Sequence, residues 1–264
     1  MPPKTIRAVL PNSGIKAEYQ KSLIALIDEM RDSVLWWLRA RYRAREDEIV
    51  AADKSPTRDL MSAINSLFSQ WEKRFEEYAQ RQSRRFARRV NASATNQLLN
   101  SMNDAGLTVK FRTSRRVNSV LQATIAENVG LITSIPKQYL DDVRGIVMRG
   151  VQEGRDLNYI TEEIEPLLTK KSRNRAIMIA RDQTNKATEA ITRTRCEGIG
   201  ITEGIWMHRS GSKVPRQSHL EMDGKRFKLD DGLFDWAVKE MVKPGSEINC
   251  HCTFRPVIPG FDPE

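Results

Sequence analysis

Residues 206–229 read WMHRSGSKVPRQSHLEMDGKRFKL, an acidic and aromatic spacer follows, and residues 243–256 read KPGSEINCHCTFRP. All three histidines of the chain (His208, His219, His251) and two of its three cysteines (Cys250, Cys252) fall in this stretch. Five of the eleven prolines lie at or after position 211, so the chain turns often here. Ile201 to His208 reads as a strand, with Ile205 and Met207 on one face and Trp206 on the other. Asp223-Gly224 reads as a turn, and Pro244-Gly245 opens a loop leading to a strand that ends at Pro256. Everything before this stretch is polar, poor in glycine and patterned at helical spacing. The contrast gives the fold class: mainly α, with an elongated helical N-terminal half and a small C-terminal α+β module. The division falls between 1–135, an arm plus a helical hairpin, and 136–264, the module.

Working backwards, Arg173 to Gly198 reads as the last clear helix, with Ala176, Ile177, Ala180, Ala187 and Ile191 on one face and Gly198 and Gly200 ending it. A short helix is expected around Pro166, with Asp156 or Asn158 as its cap. Arg115 to Ile132 and Pro136 to Gly154 read as two helices, the second opened by Pro136 in its first turn. LTVKF (107–111) has the composition of a short strand. Leu60, Ile64, Leu67, Trp71, Phe75 and Tyr78 recur at steps of three and four, as do Leu23, Ile27, Met30, Val34 and Trp37. Two such stripes joined by a short loop at 51–57 predict an antiparallel helical hairpin. Residues 1–14, with three prolines and a glycine, have the composition of an extended, mobile arm.

The charge balance narrows the partners. The chain has 264 residues and a formal net charge of +9, which favours a polyanion or an acidic protein surface as neighbour. Arg81, Arg84, Arg85, Arg88 and Arg89 follow one another with no acidic residue before Asp104, and most share one side of a helix. The plain reading is a solvated face; the sharper one is contact with phosphates of double-stranded DNA or with an acidic partner. Three cysteines, two of them one residue apart, are not a disulfide framework and point to a reducing cytosol. No apolar run approaches the ~20 residues of a membrane span, and the N-terminus lacks the apolar core of a signal peptide, so neither membrane nor export is expected.

Several motifs stand in a fixed order. ARDQT (180–184) lies on a helix, Trp206 in a strand, and Arg216-x-x-His219 precedes Asp223-Gly224. Pro244-Gly245 and Asn249-Cys250-His251-Cys252 follow, and Pro256 closes the series. In order and spacing this resembles the phage Mu F-like head morphogenesis proteins, the minor head proteins of tailed bacteriophages, over roughly residues 140–260. The resemblance implies a non-enzymatic virion protein, present in few copies inside the head and made in the host cytoplasm. It further implies association with the portal and with capsid or scaffold proteins, and a part in procapsid assembly and DNA packaging or ejection.

His219, Cys250 and Cys252 are the candidate metal ligands, since nitrogen and sulfur donors suit zinc, and His251 or His208 would be a fourth. Residues i and i+2 of a strand share a face, so Cys250 and Cys252 converge while His251 points away. Some relatives carry Cys-x-x-Cys where Arg216-x-x-His219 stands here. The plain alternative is two small buried cysteines beside a histidine hydrogen-bonded to Asp223 or to backbone. A zinc ion here would be structural, adding folding energy to a module with few apolar residues. No residue is assigned a catalytic role. The competing readings are a metal-dependent, nucleic-acid-associated hydrolase, with Glu221 or Asp223 orienting His219, and a zinc-stabilised DNA-binding module. Arg181 and Gln183 are expected to clamp the helix to the module, and Trp206 to sit in its core.

Overall fold

The computed structural model describes residues 4–46, 56–153, 157–210 and 214–260. Residues 51–55 of the expected loop and Asp156 lie outside the described residues; Asn158 lies inside a helix. The chain runs through helices α1 (Ser13–Glu46), α2 (Pro56–Asp104), α3 (Arg115–Gln152) and α4 (Leu157–Pro166). A π-helical turn (Leu167–Lys171) then leads into α5 (Ser172–Glu197). The C-terminal part holds β1 (Glu203–Met207), α6 (Gln217–Met222), β2 (Arg226–Lys228), β3 (Leu233–Asp235), β4 (Glu240–Val242) and β5 (Thr253–Pro256). The fold is mainly α with a small α+β module at its C-terminal end, as the pattern of the sequence predicts.

Packing divides the chain into two compact units. One draws on residues 18–82 and 127–179, the other on 1–17, 83–126 and 180–264.

In the first of these, the α1 stripe Leu23, Ile27, Met30 and Val34 is buried, as is the α2 stripe Ile64, Phe68, Trp71 and Phe75. Trp71 Nε1 donates to Ser33 Oγ at 3.1 Å and Gln82 Nε2 to Ser22 Oγ at 3.0 Å, and Arg74 pairs with Glu29. Partners rise along α2 as they fall along α1, so the two segments run antiparallel. Each buried large apolar side chain contributes about 1.5–3 kcal/mol, which makes these stripes the main support of the two helices. Tyr19, buried on α1, donates its hydroxyl to Asn128 Oδ1 of α3 at 2.7 Å.

One expectation fails here. Instead of two helices meeting at Pro136, α3 is continuous from Arg115 to Gln152 with Pro136 inside it. A mid-helix proline forfeits one hydrogen bond at a cost of about 3 kcal/mol. Ile132, Ile135, Tyr139 and Leu140, all buried around it, outweigh that loss. Tyr139 Oη also donates to the Lys171 carbonyl at 3.1 Å.

In the other unit, β1 is the centre of a three-stranded antiparallel sheet of order β2-β1-β5. Trp206 pairs with Phe254, and Gly204 lies opposite Phe227 and Pro256. Trp206, Phe227 and Phe254 are buried and meet edge to face at centroid separations of 5.8 and 6.1 Å. Gly204 is required by this packing: a Cβ there would stand 2.8 Å from Phe254 Cδ2. β3 and β4 form a separate hairpin inside what reads in the sequence as a spacer.

Two further expectations fail in this unit. From Lys4 on, the N-terminal arm is extended but docked: Ile6 N–H donates to the Pro256 carbonyl at 3.1 Å, Ile258 N–H to the Lys4 carbonyl at 2.9 Å, and Ile6 and Val9 are buried. An open sheet edge at β5 accepts it, which composition alone does not reveal. LTVKF is not a strand. Gly106 takes a left-handed conformation (φ 81°) and Leu107 N–H bonds back to the Met102 carbonyl at 2.9 Å, which caps α2. Strand composition without a neighbouring edge leaves an irregular connection.

Candidate functional site

Helix α5 carries the platform on which the cysteine loop rests. Arg181 Nη2 donates to Asn249 Oδ1 at 2.5 Å, and the Asn249 N–H donates to Asp182 Oδ1 at 2.8 Å. One turn on, Asn185 Nδ2 donates to the Cys250 carbonyl at 3.1 Å and lies 3.4 Å from His251 Nδ1. Asn249 is held at φ 60°, a left-handed conformation that asparagine tolerates better than most residues. Gln183 is buried within α5. Asp182 and Asn185, which sequence reasoning passes over, join Arg181 in fixing the loop. The i, i+4 spacing of Arg181 and Asn185 was the available signal.

The left-handed bend at Asn249 sends Cys250 and Cys252 to one side and His251 to the other. Both cysteines are buried. His219 comes from α6 and is also buried, and its ring meets the Trp206 indole edge to face at 5.5 Å. Its Nδ1 lies 3.5 Å from Cys250 Sγ and 3.6 Å from Cys252 Sγ. His208, at the end of β1, brings its own Nδ1 to 3.6 Å from Cys252 Sγ. Asp223 does not orient His219. Its Oδ1 accepts the His208 backbone N–H at 2.8 Å, and Gly224, at φ 77°, completes the turn by donating to the Trp206 carbonyl.

The partners of His219 Nε2 are two carboxylates that the sequence does not single out. Asp235, fully buried on β3, is hydrogen-bonded at 3.1 Å; Glu247 Oε2 is nearer, at 2.8 Å, but lies off the N–H direction. Glu221 turns instead to Trp236 Nε1 at 3.1 Å. Arg216, half-exposed, donates to the Ile248 carbonyl at 3.0 Å and stands 3.6 Å from Glu247. Pro244 and Gly245 are buried beneath the loop, where a Cβ on Gly245 would stand 2.7 Å from Glu189 Cγ.

The electrostatics follow from this packing. Burial alone would lower the pKa of His219, but the Cys250 hydrogen bond and charge and the Glu247 carboxylate outweigh it and raise it. Burial also acts against ionised Asp235, yet the Ala237 amide at 2.8 Å and His219 hold it below the usual carboxylate range. Of the two thiols, Cys250 is the one that ionises first, because it accepts hydrogen bonds from Cys252 and His219. An open cleft of about 310 Å³ gives solvent access to this cluster; it is lined by His208, Arg209, Val214, Pro215, Arg216, His219 and residues 248–252.

Among the described residues, two sets of side chains bring their donor atoms within 4.8 Å of one another and could hold a cation: His219 with Cys250 and Cys252, and His219 with Asp235 and Glu247. A Cys–His–carboxylate line also resembles a nucleophile, base and orienting group. Burial of both thiols on one shared imidazole nitrogen fits that use poorly. Arg81, Arg84, Arg85 and Arg88 are exposed on α2 and Arg89 is half-exposed, all far along the chain from the cysteine loop.

Residues 141–255 match the family model described as Phage Mu protein F like protein. A curated relative from Haemophilus influenzae (strain ATCC 51907 / DSM 11121 / KW20 / Rd), named only as an uncharacterized protein, is 34% identical over 152 residues. The aligned stretch covers 58% of this chain and 32% of the relative, so the chain spans about a third of that protein's length. No solved structure matches. The phage Mu F-like resemblance therefore holds over a segment that contains α5 and the whole histidine–cysteine cluster. The family is one of phage head morphogenesis, a structural role.

Proposed function

We propose that this chain is a minor capsid protein of a tailed bacteriophage, carried inside the head on the portal and needed for procapsid assembly and DNA packaging or ejection. The observation that carries this reading is the match of residues 141–255 to a phage head family, a stretch that holds the ordered cysteine module. The arginines of α2 supply a second element. Arg81, Arg84, Arg85 and Arg88 recur at three- and four-residue steps, so their guanidinium groups occupy one exposed face, suited to the DNA backbone or to acidic portal surface. No described helix is long and apolar enough to cross a membrane.

Quantitative mass spectrometry of purified procapsids and filled heads tests the assignment. A few copies per particle, lost when the portal is deleted, are expected; absence from both particles overturns it. DNA contact has its own test. The slope of log affinity against log salt should flatten when Arg81, Arg84, Arg85, Arg88 and Arg89 are changed to Gln, by roughly 0.9 for each phosphate contact removed. An unchanged slope assigns the face to a protein partner instead.

A further inference from the structure

We propose that His219, Cys250 and Cys252 form a zinc centre that His208, beside Cys252, turns in to close as the fourth ligand, with Asp235 fixing the outer nitrogen of His219. This does not depend on the head assignment. Zinc–sulfur bonds of about 2.3 Å and zinc–nitrogen bonds of about 2.0–2.1 Å, at the tetrahedral angle, place sulfur and nitrogen ligands about 3.6 Å apart. Of the four sulfur–nitrogen separations in such a centre, Cys250–His219, Cys252–His219 and Cys252–His208 are 3.5, 3.6 and 3.6 Å. Three donor atoms, from His219, Cys250 and Cys252, thus already lie around a common centre, and His208, in range of Cys252 alone, has to turn toward it.

Asp235 accepts from His219 Nε2, which leaves Nδ1 as the nitrogen that faces both sulfurs. A cation at the centre engages all the donors together. Binding breaks the two S–H bonds, releases two protons to solvent and forms two zinc–thiolate bonds, with no change of oxidation state. Zinc(II), two thiolates and two neutral imidazoles sum to zero charge, which suits a buried site.

The surroundings agree with the sulfur side of His219 rather than the carboxylate side. Both sulfurs, His208 and His219 line the solvent-accessible cleft, giving an ion its entry path, whereas Asp235 and Glu247 do not. Thiolate and imidazole donors select zinc among the common divalent ions. Asp235 on the distal nitrogen reproduces the carboxylate–histidine arrangement by which metal-bound imidazoles are oriented.

The test uses the full chain, purified without a metal-affinity step, with zinc content measured by inductively coupled plasma mass spectrometry. One zinc per chain is expected. Cobalt(II) replacement should give intense tetrahedral bands and a thiolate charge-transfer band. A cobalt spectrum without the thiolate band would move the ion to Asp235 and Glu247 and overturn the proposal. No metal after incubation with equimolar zinc, with both thiols open to iodoacetamide, would overturn it too. Cys250→Ser and His219→Ala should lose the metal, but each alters the core. His208→Ala, at a half-exposed position, keeps the question decidable. It should weaken zinc affinity at least tenfold in chelator competition, whereas unchanged affinity refutes the fourth ligand. Asp235→Asn should weaken affinity by roughly 10–100-fold. His251→Ala should leave it unchanged.

Discussion

Asn249 is where the helix α5 platform and the cysteine loop are joined, and two substitutions there separate its two contributions. Its side chain accepts a charged hydrogen bond from Arg181 at 2.5 Å, and its backbone sits at φ 60°. Asn249→Gly keeps the left-handed backbone and removes the side-chain bond. A hydrogen bond to a charged group contributes about 1.5–3 kcal/mol, and partial exposure puts this one near the lower figure. Asn249→Ala removes the same bond and, unlike glycine, keeps a Cβ in the left-handed region without asparagine's local hydrogen bonding, which sets its cost about 1–2 kcal/mol above that of Asn249→Gly. The backbone bond from Asn249 N–H to Asp182 is available in both variants. Hydrogen exchange of the peptides spanning β1 and β5 reads the difference directly. With 1.4 kcal/mol per tenfold change, protection should fall about tenfold further in Asn249→Ala than in Asn249→Gly. Equal protection in the two variants would show that the left-handed backbone places no constraint on the residue. Wild-type protection in Asn249→Gly would show that the Arg181 bond contributes nothing to the module.

Phe254→Ala, which removes one buried ring of the Trp206–Phe227–Phe254 cluster, should cost about 3–5 kcal/mol in urea unfolding at unchanged slope. Tyr19→Phe leaves the buried Asn128 acceptor without its 2.7 Å partner and should destabilise the α1–α3 packing by about 1–3 kcal/mol, measured the same way. Glu189, fully enclosed on α5 with neither carboxyl oxygen hydrogen-bonded, has its pKa raised well above the usual range, first of all by burial. A raised folded-state pKa means stability that is complete below the unfolded value of 4.5 and declines as pH climbs toward the folded one. Unfolding midpoints of wild type should therefore fall over that interval, and Glu189→Gln should flatten the decline.

Much of this molecule was legible before any coordinates. Stripes at three- and four-residue steps located α1, α2 and α5, because a helix that buries one face must repeat its apolar residues at that period. Gly198 and Gly200 marked the end of α5, and Asp223-Gly224 the turn after α6. The Cys-x-Cys spacing placed both sulfurs on one side and His251 on the other, since that depends only on local backbone geometry.

What local geometry does not contain is the partner across space. Pro136 reads as a helix start, and only the buried residues around it carry α3 through. The N-terminal arm reads as mobile, and the free edge of β5 together with Gln97 and Ser101 of α2 docks it. Asp223 is closer in sequence to His219 than Asp235 or Glu247 is, yet the fold of the β3–β4 hairpin and the cysteine loop decides which carboxylates reach the imidazole. The sequence by itself determined the helical class, the module and three of the donor residues. The tertiary structure alone decided that His208 lies beside Cys252 and that Asp235 stands behind His219, because a site's geometry is set by contacts between segments that composition and spacing leave independent.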